Sequence, residues 1–247
     1  NRYFLLSSLS LNFNFLMKKY KHVFFDLDRT LWDFDRCSRE TMEDVFVKYA
    51  LDQKGVPDFN SFITIYYQIN DALWTLYRNG ELSKEILHVK RFYSTLEKFG
   101  IDNEILAKEI ADDYIASLPN KTHLFPYTHQ ILEYLSNRYT LHIITNGFEE
   151  VQYKKMESSG LSKYFDQIIT SEDAGFKKPD KNIFTYSLNR THSKAEESLM
   201  IGDEIEVDIL GAKSVGMDQV LVNYQKIPHN EEITYEVFSL QELVQIL

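Results

Sequence analysis

Apolar positions change their spacing along this chain, and the changes divide it. Val23, Phe24 and Phe25 form a short unbroken apolar run, the pattern of a strand buried on both faces of a parallel sheet. Beyond it the spacing turns helical. Met42, Val45, Phe46 and Tyr49 share one face, and Ser38 is a candidate N-cap. A second helix follows Asp58 and Asn60, with Ile63, Tyr66, Tyr67, Asn70, Leu73, Trp74 and Tyr77 on one stripe and Gly80 at its end. Ser83 caps a third, which turns Val89, Phe92, Tyr93, Leu96 and Phe99 inward and stops at Gly100. A fourth starts near Asp102, buries Ile105, Leu106, Ile110, Tyr114 and Leu118, and ends at Pro119. Successive helices with no strand between them predict a separate bundle over residues 34–120.

From Phe125 onward helix and strand alternate. The patterns predict helices over 128–137, 149–159, 180–188 and 205–214, and strands over 141–144, 167–170, 198–201 and 219–222. A last short strand at Val237 and a helix over 240–247 complete the chain. Such alternation implies an α/β fold with a parallel sheet and right-handed crossovers. Residues 17–33 and 121–247 then form one core, into which the helices are inserted.

Residues 1–16 match neither pattern. They are apolar and serine-rich, broken by Asn12 and Asn14, and the basic residues follow the apolar run instead of preceding it. Met17 is the expected natural start, and the stretch before it an extension. No apolar run approaches the roughly 20 residues that a membrane helix needs.

The chain has 247 residues, 44% of them hydrophobic and 14% aromatic, which suffices for a real core and argues against disorder. The net charge of −10 argues against a nucleic-acid surface. It leaves room for small phosphorylated ligands, because a local cation reverses the field inside a pocket. Cys37, the only cysteine, allows neither an internal disulfide nor a thiolate metal cluster. A buried free thiol in a reducing cytosol fits.

The candidate chemistry sits where strands end, which is where ligands gather in open α/β sheets. Val23-Phe24-Phe25 runs into Asp26-Leu27-Asp28-Arg29-Thr30. Two carboxylates so close repel each other unless a cation or a proton is shared between them, and Mg2+ is the simplest such cation. Thr145-Asn146-Gly147 follows the second strand and offers a hydroxyl, an amide and backbone N–H groups to an anion. Lys177-Lys178-Pro179-Asp180 precedes a helix, with Pro179 expected in its first turn, and Gly202-Asp203 leads to Asp208. Singly, these read as an N-cap, a solvated lysine and a helix cap. Together they place acids, a hydroxyl and a lysine at successive strand ends of one sheet.

In this combination and order the chain resembles the haloacid dehalogenase-like superfamily, with D-x-D-x-T, then a threonine, then Lys-Pro, then Gly-Asp with a following acid. Arg29 stands where glycine is common. The resemblance runs from about Met17 to the end. It implies a Rossmann-like core with an inserted helical cap, the C1 type of four helices, hinged near residues 33–37 and 120–125. It implies Asp26 as nucleophile, forming an aspartyl phosphate, and Asp28 as the acid and then the base. Mg2+ is expected on the Asp26 carboxylate, the Asp28 carbonyl and Asp203. Thr145, the Asn146 N–H and Lys178 are expected on the phosphate oxygens, with Asp208 orienting Lys178 or a water.

Leu31-Trp32-Asp33-Phe34 and the cap stretch from Ala72 to Leu82 further resemble the YjjG-type pyrimidine 5'-nucleotidase branch. That implies a cytoplasmic phosphatase of nucleoside 5'-monophosphates, with Trp32, Phe34, Trp74 and Tyr77 available to stack a base and Arg78 to contact it or the sugar. For Trp74 and Tyr77 the competing reading is bundle core. A sugar-phosphate phosphatase or a β-phosphoglucomutase-like enzyme would carry the same core motifs. A 2-haloacid dehalogenase needs neither Asp28 nor the metal, and a non-catalytic module would have lost a motif. The expected partner is a small phosphorylated metabolite, not a nucleic acid or a membrane.

Overall fold

The structure, a computed structural model, describes residues 19–247; the expected extension over 1–16 and the start at Met17 lie outside them. Its frame is one sheet of six parallel strands in the order β3-β2-β1-β4-β5-β6. These are β1 (His22–Phe25), β2 (Thr140–Thr145), β3 (Gln167–Thr170), β4 (Ser198–Gly202), β5 (Asp218–Val222) and β6 (Tyr235–Val237). The strand alternation sorts β1 between two cores. Val23 and Phe25 join Leu141, Ile143 and Leu199 on one face, and Phe24 joins Ile144, Phe184 and Met200 on the other. Burying each such side chain stabilises the fold by about 1.5–3 kcal/mol, which fixes β1 at the centre. Phe25 pairs with Ile143 on one side and Ile201 on the other. The chain proceeds from β1 to β2 and β3 on one side, then crosses to β4 on the other. A crevice therefore opens beyond β1, at the switch point.

Four helices follow β1 without an intervening strand: α1 (Phe34–Lys48), α2 (Phe59–Arg78), α3 (Lys84–Glu97) and α4 (Glu104–Ser117). They pack through a shared aromatic centre, where Tyr66 and Phe92 stack at 5.2 Å and Phe92 meets Tyr114 at 5.4 Å. Asp58 and Ser83 cap α2 and α3 as expected. Ser38 does not cap α1. Asp33 does, accepting from the Arg36 N–H at 3.2 Å. Ser38 lies a turn inside the helix, buried, with its hydroxyl 2.8 Å from Tyr114 Oη, so it serves as a link between α1 and α4.

The chain leaves and re-enters the sheet side by side. Asp33 N donates to His123 O at 3.0 Å, Trp32 bridges Leu124, and Phe125 N donates to Leu31 O at 3.0 Å. The remaining helices are α5 (Thr128–Ser136), α6 (Glu149–Ser158), the short α7 (Ser171–Ala174), α8 (Lys181–Arg190) and α9 (Leu210–Lys213). The helix expected over 205–214 opens as a π-helical turn, Ile205–Ile209, before continuing as α9. Asp180 caps α8, which places Pro179 ahead of the helix and not in its first turn. The C-terminal helix is of the 3-10 type, Leu240–Gln245. Cys37 is buried and free, its thiol pushed up to about 12 by burial. Among the described residues no helix is long and apolar enough to cross a membrane.

Candidate active site

At the end of β1, Asp26 N continues the ladder by donating to Ile201 O at 2.9 Å. The chain then turns sharply, with Leu31 N and Trp32 N both donating to Leu27 O. Arg29 takes a left-handed φ of 65°, a conformation that glycine adopts without steric cost. Its side chain is held 2.9 Å from Asp35 and over the Phe34 ring, contacts that a glycine lacks.

Lys178 is the hub. Its buried ammonium lies 2.6 Å from Asp26 Oδ1 and 2.6 Å from Asp208 Oδ1. The Asn146 side chain fixes the lysine backbone, accepting from Lys178 N at 2.8 Å and donating to Lys178 O at 2.9 Å. Asp208 Oδ2 accepts from Glu204 N at 3.2 Å, so both of its oxygens are engaged. Gly202 is obligatory beneath it, because a Cβ there would stand 2.4 Å from Asp208 Oδ2. Burial lifts the Asp26 carboxyl to about 7 against the pull of Lys178, and Asp208 and Asp28 add to the rise. Burial alone would depress Lys178, but Asp208 and Asp26 raise it, so it stays charged.

Oxygens of Asp26, Asp203 and Asp208 all come within 4.8 Å of one another. Burial, then Asp26 and Asp208, drives Asp203 well above the usual carboxylate range, although Thr30 Oγ1 donates to its Oδ1 at 3.0 Å. One lysine thus faces three buried or half-buried acids. An all-oxygen set with surplus negative charge fits a hard divalent cation such as Mg2+.

Asp28 has two partners that the motif spacing does not reveal. Lys155 Nζ lies 2.6 Å from its Oδ1, and Gln152 Nε2 lies 2.8 Å from its Oδ2. Both come from α6, three residues apart and hence on one face. Gln152 Nε2 also donates to Thr145 Oγ1 at 2.7 Å, as Gly147 N does at 3.1 Å. The threonine oxygen accepts twice, which leaves its own O–H to donate to a ligand. A Cβ on Gly147 would stand 1.8 Å from Gln152 Nε2, so glycine is required there. The one available sequence signal was two polar residues at helical spacing that turn out buried.

A cavity of about 460 Å³ covers this floor, with Asp26, Asp28, Thr145, Asn146, Lys178 and Asp203 on its lining. Phe34, Trp74 and Arg78 line it from the helices, and Trp74 stands 5.5 Å from Phe148. Trp32 and Tyr77, expected to stack a base, do not line it. Trp32 is fully buried beneath the Lys155 ammonium, 4.3 Å from its ring. Tyr77 is buried edge-on against Trp74 and Phe148.

A buried carboxylate, a buried lysine and paired acids at adjacent strand ends define a class, and the family comparison agrees with it. The model of the haloacid dehalogenase-like hydrolases matches residues 23–222, and the chain belongs to that family. It is an enzyme, a hydrolase. Within the family it is similar to the pyrimidine 5'-nucleotidase PynA of Streptococcus pneumoniae, 32% identical over 92% of this chain and 95% of the relative. It is similar to the pyrimidine 5'-nucleotidase YjjG of Escherichia coli at 31%, over 93% of this chain and 98% of the relative. Those two relatives are phosphoric monoester hydrolases. Among solved structures, the magnesium-bound HAD-hydrolase YfnB of Bacillus subtilis superposes with a TM-score of 0.83 at 30% identity, covering 93% of this chain and 99% of that one.

Proposed function

We propose that the protein is a Mg2+-dependent phosphatase of nucleoside 5'-monophosphates, with pyrimidine nucleotides as its preferred substrates. The observation that carries this is the convergence of Asp26, Asp28, Thr145, Lys178 and Asp203 on one cavity that also presents aromatic side chains. The two nucleotidase relatives support the substrate class.

Asp26 Oδ1 is held by Lys178, which leaves Oδ2 to attack phosphorus in line. The P–O bond to the nucleoside breaks, Asp28 gives its proton to the departing oxygen, and phosphate remains on Asp26. Asp28 then takes a proton from the water that attacks this aspartyl phosphate, and inorganic phosphate leaves with Asp26 restored. Lys155 and Gln152 grip both Asp28 oxygens, holding the carboxyl in one orientation for both steps. The Thr145 hydroxyl and the Lys178 ammonium stabilise the equatorial oxygens as charge develops. Asp26, Asp203 and the Asp28 carbonyl would hold Mg2+, which when bound neutralises phosphate charge.

Residues 34–120 act in this reading as a cap over the core of residues 17–33 and 121–247, turning on the paired segments near 33–37 and 120–125 and shielding the site from water. The test is a phosphatase screen over nucleotides and sugar phosphates, with and without Mg2+. Preference for UMP over ribose 5-phosphate is expected. Equal or better turnover of sugar phosphates overturns the nucleotidase assignment.

A further inference from the structure

Among the described residues Arg91 is an anomalous charge, a buried cation with no ion pair. It lies on α3, is only 3% exposed, and lines the same cavity as the phosphate-binding floor. Its Nη1 donates to Asn70 Oδ1 at 3.3 Å, while its buried Nε has no hydrogen-bond partner. The guanidinium carbon sits 5.1 Å from the Phe92 ring and 5.2 Å from the Tyr114 ring. None of the ion pairs among the described residues includes it. Asp71, next to Asn70 along α2, is exposed and approaches the Asn70 amide at 3.5 Å. Burial raises the phenols of Tyr66 and Tyr114, so neither supplies a negative charge. A guanidinium buried without a counter-charge is costly to the fold, and its retention on a cavity wall points to a ligand.

We infer that Arg91 and Asn70 form the specificity-determining pair for the substrate's remote end, and that they read the carbonyl edge of a pyrimidine base; this rests on the nucleotidase reading above. The Asn70 oxygen accepts from Arg91 and so orients the guanidinium, while the Asn70 Nδ2 reaches Asp71 at 3.5 Å. The wall therefore offers the guanidinium donors, with the exposed Asp71 carboxylate beside them on the same cavity. Its ligand must present acceptors in a plane, where a guanidinium fork is most selective. Every pyrimidine carries an O2 carbonyl, beside an accepting N3 in cytosine, while in uracil and thymine O2 and O4 accept on either side of an N3–H that donates. Adenine has no carbonyl. The phosphate is already served by Lys178 and Thr145, so Arg91 is free for the other end. A carboxylate on a phosphorylated hydroxy acid has the same acceptor chemistry and is the competing source.

The test uses the full chain with Mg2+, comparing kcat/KM for UMP, AMP, 2-phosphoglycolate and ribose 5-phosphate. Wild type, Arg91→Gln, Arg91→Lys and Asn70→Asp are assayed and melted. In Arg91→Gln the UMP to ribose 5-phosphate ratio is expected to fall by at least about tenfold, mainly through KM, with the AMP ratio moving far less. Asn70→Asp hands Arg91 a carboxylate. It is expected to hold or raise Tm while producing the same loss of UMP preference, which a purely structural role does not predict. An unchanged UMP ratio in both variants overturns the inference. So does an equal fall on all substrates with lowered Tm in Arg91→Gln and Arg91→Lys, or a response confined to 2-phosphoglycolate. Wild-type preference for ribose 5-phosphate would instead remove the nucleotidase reading itself, which separates the two failures.

Discussion

The Lys155 ammonium lies 2.6 Å from Asp28 Oδ1, almost fully buried and directly over the Trp32 ring. The pairing gives the proposed acid–base residue a fixed direction that its own loop does not supply. Replacing Lys155 with Met keeps the apolar stem and removes the charge. The expected result is a drop in kcat of between ~10- and ~100-fold with KM for p-nitrophenyl phosphate little changed, since positioned proton transfer is worth ~10²–10⁴-fold. Steady-state kinetics on a variant with native circular dichroism checks it. Wild-type kcat would remove Lys155 from the mechanism.

The acidic cluster of Asp26, Asp203 and Asp208 carries more negative charge than Lys178 offsets. Chelator is expected to abolish turnover and Mg2+ to restore it, with Ca2+ a poor substitute because it demands more ligands. Melting offers a readout independent of turnover: Mg2+ raises Tm in wild type, and Asp203→Asn loses that increment. Asp26→Asn is expected to fold normally and to be inactive. Full activity after exhaustive chelation contradicts the metal assignment.

His142 is buried between His22 and Phe24, and burial, with His22 adding to it, lowers its pKa to about 4. Asp166 pulls the other way from 3.8 Å. The folded state keeps this ring neutral where the unfolded chain, titrating near 6.5, takes up a proton. Stability is therefore expected to fall as pH drops from about 6.5 towards 4, by up to roughly 3 kcal/mol from this group. Urea melts at pH 5 and 7.5 measure it, and His142→Asn should flatten the difference.

Trp74 lines the cavity and Trp32 does not. Under the nucleotidase proposal, Trp74→Ala is expected to cost about ten- to a hundredfold in kcat/KM for UMP, the range of base–aromatic stacking. The loss on p-nitrophenyl phosphate should be much smaller. Equal losses on both substrates would assign Trp74 to packing against Phe148.

The sheet and its strand-end residues were readable because each signal is local. A buried apolar run followed by Asp26 and Asp28, or by Gly202 and Asp203, announces its own place in an α/β fold. What failed to show depends on partners distant in sequence. Lys155 and Gln152 looked like ordinary polar residues of a surface helix, because Asp28, the group that gives them meaning, lies 127 and 124 residues away. Ser38 looked like an N-cap because the apolar face seemed to begin at Met42, whereas Cys37 already belongs to the core and Asp33 starts the helix. Trp32 looked like a stacking platform, since nothing in its neighbours discloses the lysine that covers it. Arg91 could not be singled out at all: a buried arginine without a counter-ion is visible only once every nearby acid has been placed.

Asp26 and Lys178 are separated by 152 residues. On a ribosome adding about 5–20 residues per second, that interval lasts roughly 8–30 s. Throughout it the nascent chain carries Asp26 with neither the flanking strand β4 nor the lysine that makes its burial tolerable. Of the two neighbours of β1, β2 precedes Lys178 in the chain and β4 follows it, so the strand is flanked on both sides only once β4 has been made. A chain halted before Lys178 therefore has β1 open along one edge and lacks the ammonium beside Asp26, and it is expected to show no phosphatase activity.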